Sequence, residues 1–437
     1  MRHSSRRRWA ALAAVCVALV LGAAPGLLHP AAARAAGGAR LREDVPSCSE
    51  PFRPSASVQL RVVGNRVLNG YGKTFIPYGF SIAGGLGDGD HDANWEFAMP
   101  AGDAQIEAAP FWHANAIRIQ FAEANIFNDP SPGEQINIPF LDALCHEVRL
   151  ARAEGDVVIL NDQTEFPDWS ELNPTARTEK AWKVIGRAYG NQWGIIFDLY
   201  NEPRLTAAAA HVRSDDLNWA WRAWLRGAVV KGTRYIGMQT LVNQIRAQGE
   251  KNIIWLSGPF LNGLNLARHY LVVDPDHNVE WEFHHPVLPV DAEHGDTKVW
   301  QYHFGYLTSR YPVVDGEWSQ YAAPKFGECY ADAPRVVPIL FNYFRAHGIG
   351  LLAWGPEPGS LVAEAGHEPP ANITQQRDPT TPAALQIPNQ MGRNYACDGA
   401  HAGQGAGQLV LNYFRKYSGR WVGPNSEVFA SGRRDVK

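Results

Sequence analysis

The sequence predicts an α/β protein built on one parallel sheet, and three observations carry that reading. β-type and helical patterns alternate along the chain, which argues for βα units. The β-type runs carry few polar residues, as in Trp193-Gly194-Ile195-Ile196, which marks strands covered on both faces. Eight such runs occur, and about 400 residues remain once an N-terminal leader is set aside, the size of one elaborated (β/α)8 barrel.

In chain order, residues 1–36 read as a signal peptide. Met1 to Arg8 holds four arginines and no acid, Trp9 to Pro25 is apolar, and Ala33-Arg34-Ala35 fits a small-x-small cleavage site. Arg6-Arg7-Arg8 leaves both Sec and twin-arginine export open. Residues 37–57 are irregular and are expected to pack on the outside of the domain that spans 58–437. Residues 60–68 form a hairpin around the Gly64-Asn65 turn. Strands are expected over 75–81, 116–121, 157–161, 194–200, 253–257, 279–284, 313–317 and 350–354. Helical spacing is clear over 140–153, 178–189, 238–248, 336–347 and 408–417, whereas the helix after Leu266 is poorly marked. The Pro/Gly-rich stretch 356–407 is too long for an ordinary βα loop and reads as an insertion at the catalytic mouth.

Composition narrows the function. The leader takes five arginines and no acid with it, so the formal charge moves from −4 to about −9. No basic cluster remains, which argues against nucleic acid as a partner. The apolar stretch of the leader is short for a span and no other follows, so no membrane association is expected after cleavage. The mature chain keeps four of the five cysteines, Cys48, Cys145, Cys329 and Cys397, enough for two disulfides in an oxidising compartment. They lack zinc-site spacing. Cys145 lies on the apolar stripe of its helix and is expected as a core thiol. Fifteen tryptophans are many for this length, and indole faces serve both cores and sugar sites.

Two stretches carry chemistry. Phe197-Asp198-Leu199-Tyr200-Asn201-Glu202-Pro203 puts a carboxylate where a buried strand ends and a proline stops further pairing. Tyr311-Pro312-Val313-Val314-Asp315-Gly316-Glu317-Trp318 repeats the design. Two carboxylates on two strand ends are what cleavage of a glycosidic bond requires. With these motifs the chain resembles glycoside hydrolase family 5, the cellulase-type retaining β-glycosidases, over about residues 58–419. The resemblance implies a (β/α)8 barrel with the N-terminal hairpin plugging its bottom. It implies that Glu202, closing the fourth strand, is the acid/base and that Glu317, closing the seventh, is the nucleophile.

The same resemblance assigns four further residues. Arg118 would pair with Glu317 and lower its pKa, and Asn201 would bond the sugar 2-hydroxyl. His284 would line the site, and Trp354 would lie under the sugar at the cleavage subsite. Two positions depart from the family pattern. Gln163 stands where the family has a His on the third strand, and Pro286 replaces the Tyr of a His-x-Tyr motif. Tyr302 or His303 is a candidate to take over the missing contact. The expected charge states are a protonated Glu202 with a raised pKa and an ionised Glu317. In such a barrel Cys329 and Cys397 emerge on one face, which favours a Cys329–Cys397 bridge.

No metal or organic cofactor is expected: the His284-His285 pair has no His-x-x-x-His helix beside it. Asp88-Gly-Asp90-His-Asp92 lacks the EF-hand spacing and reads as a polar rim loop. Asn372-Ile373-Thr374 is a glycosylation sequon. On a helix Trp219, Trp221 and Trp224 cannot share one face, so at least one should turn to cleft or solvent. Taken together, a secreted monomeric endo-β-1,4-glucanase acting on a β-linked polysaccharide or oligosaccharide is expected. The alternatives are a mannanase, xylanase or exo-β-glycosidase on the same scaffold, and a non-catalytic carbohydrate-binding barrel.

Overall fold

The computed structural model describes residues 45–48, 55–82, 102–128, 135–164, 171–207, 216–259, 263–284, 295–318, 333–356 and 407–419, with a few positions between them. The chain divides into two compact units, Met1–Glu43 and Asp44–Lys437, and every described residue belongs to the second. The leader, the Asp88–Asp92 loop, the sequon, Pro286 and Cys397 lie outside the described residues, as does most of the 356–407 stretch.

Eight parallel strands close into a barrel. They are β1 (Tyr78–Ile82), β2 (Ala116–Phe121), β3 (Val157–Asp162), β4 (Ile195–Asp198), β5 (Ile253–Ser257), β6 (Val279–Phe283), β7 (Val313–Trp318) and β8 (Gly350–Trp354). Each pairs with its sequence neighbours, and β8 closes on β1 through Leu351↔Tyr78 to Trp354↔Ser81. All eight expected strands are found with ends within a few residues.

The helices form where sequence caps allow. Asn137 caps Ile138–Ala153 by accepting from the Phe140 N–H, and Thr175 and Thr178 form a capping box for Ala176–Tyr189. Two helices, Leu217–Arg226 and Met238–Ala247, follow β4 with a hairpin of Gly227–Val230 and Thr233–Ile236 between them. After β5 only the 3-10 turn Ala267–His269 stands among the described residues, which matches the weak helical signal there. No helix among the described residues is long and apolar enough to cross a membrane.

Period-2 alternation divides the strands' side chains between two cores. Phe80, Ile117, Ile119, Leu160, Phe197, Leu256, Leu351 and Ala353 point out and pack beneath the helices. Ala116, Val157, Ile159, Ile196, Ile253, Trp255, Val314 and Leu352 point in, and Val58, Leu60 and Val67 of the N-terminal turn and hairpin join them. The hairpin thus packs into the barrel interior from the end where the strands begin.

The N-terminal segment is tied to the helical shell by a Cys48–Cys145 disulfide, Cα–Cα 5.5 Å, and by the Cys48 N–H donating to Ala188 C=O at 3.1 Å. This corrects the expectation of a free core thiol at Cys145. The residue is on the buried stripe as predicted, but the stripe is where the segment docks. Cys329 lies in a short strand, Glu328–Cys329, and its expected partner Cys397 is outside the described residues.

Eight of the eleven tryptophans among the described residues are fully buried: Trp112, Trp182, Trp221, Trp224, Trp255, Trp281, Trp300 and Trp318. Most of the described tryptophans are therefore core packing. Of the three tryptophans on Leu217–Arg226, Trp219 is the half-buried one, packed on the small cluster of Leu205, Ala223, Val230 and Tyr235.

Candidate active site

The same alternation that fills the barrel floor with apolar side chains puts polar ones above it. Two residues beyond Ala116 comes Arg118, then Gln120; beyond Ile159, Asn161; beyond Ile196, Asp198; beyond Trp255, Ser257; beyond Leu352, Trp354. On β6 the inward row is Glu280, Glu282 and then His284. A ring of polar groups at the carboxyl ends of parallel strands is where a (β/α)8 barrel builds its site.

Glu317 reaches the ring through an irregularity. Asp315 pairs with Leu351 and Trp318 with Ala353, so β7 carries one residue more than β8 over this interval. The bulge lets Gly316 and Glu317 both turn inward while Asp315 and Trp318 stay on the outer face. Trp318 packs edge-on against Phe341 at 5.0 Å, which fixes that outer register. Glu202 arrives past the end of β4. The Asn201 N–H donates to Asp162 C=O at 2.8 Å, and Trp182 Nε1–H donates to Leu199 C=O at 2.9 Å.

Arg118, fully buried, is the hub. Its Nε donates to Asp198 Oδ2 at 2.8 Å, and one terminal nitrogen donates to Ser81 Oγ at 2.9 Å and Glu317 Oε2 at 3.2 Å. The other donates to Asn201 Oδ1 at 2.6 Å and lies 3.7 Å from Glu282 Oε1. Asn161 Nδ2 joins Asp198 Oδ2 at 2.9 Å, and Gln120 Nε2 joins Glu317 Oε2 at 3.3 Å. Burial works against the guanidinium charge, but Asp198, Glu282 and Glu317 outweigh it and raise its pKa.

His284 links the two glutamates. Its Nδ1 is 2.9 Å from Glu202 Oε1, and its Nε2 is 2.7 Å from Glu282 Oε1 and 3.8 Å from Glu317 Oε2. The other oxygen of Glu202 accepts from Arg204 at 2.7 Å. The other oxygen of Glu282 accepts from Ser257 Oγ.

These contacts set charge states that differ from the expected ones. Burial pushes Glu202 up, but its hydrogen bond to His284, the imidazolium charge and Arg204 prevail and hold it below the usual carboxylate range. Burial raises Glu317; His284 and Arg118 pull it down, Glu202 and Glu282 push it up, and it ends above that range. Burial would lower His284, yet Glu282, Glu317 and Glu202 raise it well above an ordinary histidine. In the unliganded site these contacts favour charge on Glu202 over charge on Glu317, and they favour a proton on His284. Arg118 does favour Glu317's charge, as predicted, but burial outweighs it.

Of the predicted residues, Glu202, Glu317, Arg118, Asn201 and His284 converge. Gln163 is buried just beyond β3, its N–H donating to Phe121 C=O at 2.8 Å, and Gln120 supplies the amide that touches Glu317. Trp354 ends β8 on the inward row and is 7% exposed. Tyr302 and His303 stand exposed at the end of the helix Thr297–His303, ring against ring. Asp198, Glu282, Gln120, Ser81 and Arg204 were not predicted. Extending the inward rows from Arg118 and His284 would have found Gln120 and Glu282.

One oxygen or nitrogen each of Glu202, His284 and Glu317 lie within 4.8 Å of one another. By residue type the three could ligate a cation, but a guanidinium already sits on each glutamate. The same closeness suits a pair of carboxyl groups acting on one atom between them.

The family model described as Cellulase (glycosyl hydrolase family 5) matches residues 74–359. No curated protein matches the chain. Several solved structures share its fold. A β-glucanase from Saccharophagus degradans in complex with cellotetraose is 16% identical, with a TM-score of 0.52, and the match covers 85% of this chain and 98% of that one. A β-mannanase from Streptomyces thermolilacinus with mannohexaose is 15% identical, TM-score 0.50, over 80% and 96%. An endo-β-1,4-glucanase from Xanthomonas axonopodis pv. citri is 16% identical, TM-score 0.50, over 78% and 100%. At these identities the likeness is one of fold.

Proposed function

The chain belongs to glycosyl hydrolase family 5 and is a glycosidase, and from that premise we propose that it cleaves β-1,4-linked glucan internally by double displacement, with Glu317 as nucleophile and Glu202 as acid/base. The observation that carries the mechanism is the closeness of the two glutamates, an oxygen of each within 4.8 Å of the other. Retaining enzymes hold their carboxyl groups roughly 5–5.5 Å apart, whereas inverting enzymes need roughly 6.5–9.5 Å to seat a water.

Attack on the anomeric carbon requires a charged Glu317, and departure of the leaving oxygen requires a proton from Glu202. Arg118 and Gln120 on Oε2 orient Glu317 and support its charge. Arg118 also fixes the Asn201 amide, which suits that residue to grip the sugar 2-hydroxyl. Trp354 at the end of β8 suits a stacking platform for the sugar ring.

Glucan is favoured by the description of the family model and by the fold shared with a β-glucanase that binds cellotetraose. The leader supports export, and the Cys48–Cys145 disulfide supports an oxidising destination. We expect a secreted monomer with a β-linked polysaccharide or oligosaccharide as its partner. A panel of carboxymethylcellulose, mixed-linkage glucan, mannan and xylan, with products sized over time, tests the reading. Early mid-length products from the glucans support it. Cleavage of mannan or xylan without glucan overturns the substrate, exclusive release of short products overturns internal cleavage, and inertness on all four moves the substrate to another β-glycoside.

A further inference from the structure

Glu282 is a third carboxylate in the catalytic cluster, and neither half of the double displacement uses it. It is fully buried on the inward row of β6, between the floor of the barrel and the two catalytic glutamates. The fold makes room for it. A Cβ on Gly316 would come 2.7 Å from Glu282 Cγ and closer still to its carboxylate. The glycine beside the nucleophile is therefore the residue type that leaves space for this side chain.

Its contacts point one way. Ser257 Oγ–H occupies Oε2, which leaves Oε1 facing His284 Nε2 at 2.7 Å. The second ring nitrogen of His284 faces Glu202 Oε1 at 2.9 Å. Nδ1 is hydrogen-bonded to Glu202, and Nε2 has a carboxylate oxygen at ion-pair distance though out of hydrogen-bond line, so both ring nitrogens face negative charge, which favours the doubly protonated cation. The charge count around it agrees. Asp198, Glu202, Glu282 and Glu317 bring four carboxylates, while Arg118 and Arg204 bring two guanidinium groups. A buried excess of negative charge draws protons.

We propose that Glu282 is a positioning residue that keeps His284 as an imidazolium, so that His284 serves as the proton reservoir of Glu202. The inference rests on Glu202 being the acid/base. In the first half-reaction the Nδ1 proton passes to the Glu202 carboxylate, and Glu202 protonates the departing glycosidic oxygen as Glu317 bonds to the anomeric carbon. Glu202 is left as carboxylate and His284 as neutral imidazole. In the second half-reaction water attacks the anomeric carbon and releases Glu317, its proton goes to Glu202, and the proton returns to Nδ1. The direction found for His284 is the one this arrangement needs.

The test has two arms, one of which needs no turnover. In protein labelled with 15N-histidine, the His284 ring, identified by its loss in His284→Asn, should carry protons on both nitrogens at neutral pH. In Glu282→Gln, which keeps shape and the Ser257 contact, the ring should be neutral there. A neutral ring in the wild-type protein, which needs no variant to fold, overturns the proposal, as does an unchanged imidazolium in Glu282→Gln. In the kinetic arm, Glu282→Gln should move the alkaline limb of kcat/KM to lower pH by a unit or more for an oligosaccharide that the enzyme cleaves. The limb should stay unmoved for the 2,4-dinitrophenyl glycoside of the same sugar, whose departure needs no proton. An equal loss on both substrates at every pH would mean a structural role only and overturn the proposal. Failure of the acid/base reading would appear instead as a Glu202→Ala enzyme that spares the oligosaccharide, whatever the state of the His284 ring.

Discussion

Gly316 lies against Glu282 so closely that a single added methyl would meet the carboxylate side chain. The contact joins β7 to β6 where the chain bulges to turn Glu317 inward. Gly316→Ala should therefore displace either Glu282 or the bulge. Overpacking of this kind typically costs about 1–3 kcal/mol, and misplacing a reacting group by about 1 Å can cost about 10²-fold in rate. We expect a lowered Tm and a fall in kcat/KM of that order. A variant matching the parent in both would contradict the contact.

The buried carboxyls give the fold a pH signature. Burial pushes Glu280 up to about 8, against the pull of the Trp255 Nε1–H that donates to it at 2.7 Å. Glu280 thus binds its proton more tightly folded than unfolded. Its contribution to stability is complete below the unfolded glutamate value of about 4.3 and is lost as pH rises through about 8, at up to about 1.4 kcal/mol per pH unit. Glu280→Gln should remove that loss, so the variant should gain stability relative to the parent between pH 5 and 8. Urea unfolding at several pH values measures it; a difference that is constant or shrinks with pH would contradict the assignment.

The Cys48–Cys145 bridge closes a loop across a sequence separation of 97. Chain-entropy reasoning gives a bridge of that span about 4–5 kcal/mol, with measured values usually about 2–5. Cys48→Ala/Cys145→Ala should unfold at lower denaturant by that amount while keeping its site chemistry. Peptide mapping without reduction should recover the Cys48–Cys145 pair, with Cys329 and Cys397 as the expected second pair. Finding Cys48 or Cys145 free would contradict the first.

The fold was legible because its signals are local. Apolar runs ending in Glu202 and Glu317 marked strand ends, and Arg118, a lone cation within such a run, marked the barrel interior. What escaped was set by contacts between strands. Glu282 sits two residues before His284 and Asp198 three before Asn201, and only the inward alternation of the closed barrel brings them onto Arg118. The Gly316 bulge is invisible until β7 is paired with β8. The charge states depend on His284, 82 positions from Glu202, and on Arg204, whose side chain folds back onto it. The tryptophan surplus left cores and sugar sites both open, and most of the described tryptophans are core. Cys145 was placed correctly on its buried stripe, yet its partner is 97 positions away in an irregular segment.

The measurement closest to the central claim is the anomeric configuration of the glycosyl azide formed by each glutamate variant from an activated aryl β-glycoside. Glu202→Ala lacks proton assistance, a factor of about 10²–10⁴ that a dinitrophenolate leaving group largely makes unnecessary. It should still form the glycosyl-enzyme on Glu317, and azide, needing no base, should release a β-glycosyl azide of retained configuration. Glu317→Ala cannot form that intermediate, so azide should enter from the vacated face and give the inverted α-glycosyl azide. The opposite pairing, with retention from Glu317→Ala and inversion from Glu202→Ala, would reverse the two roles.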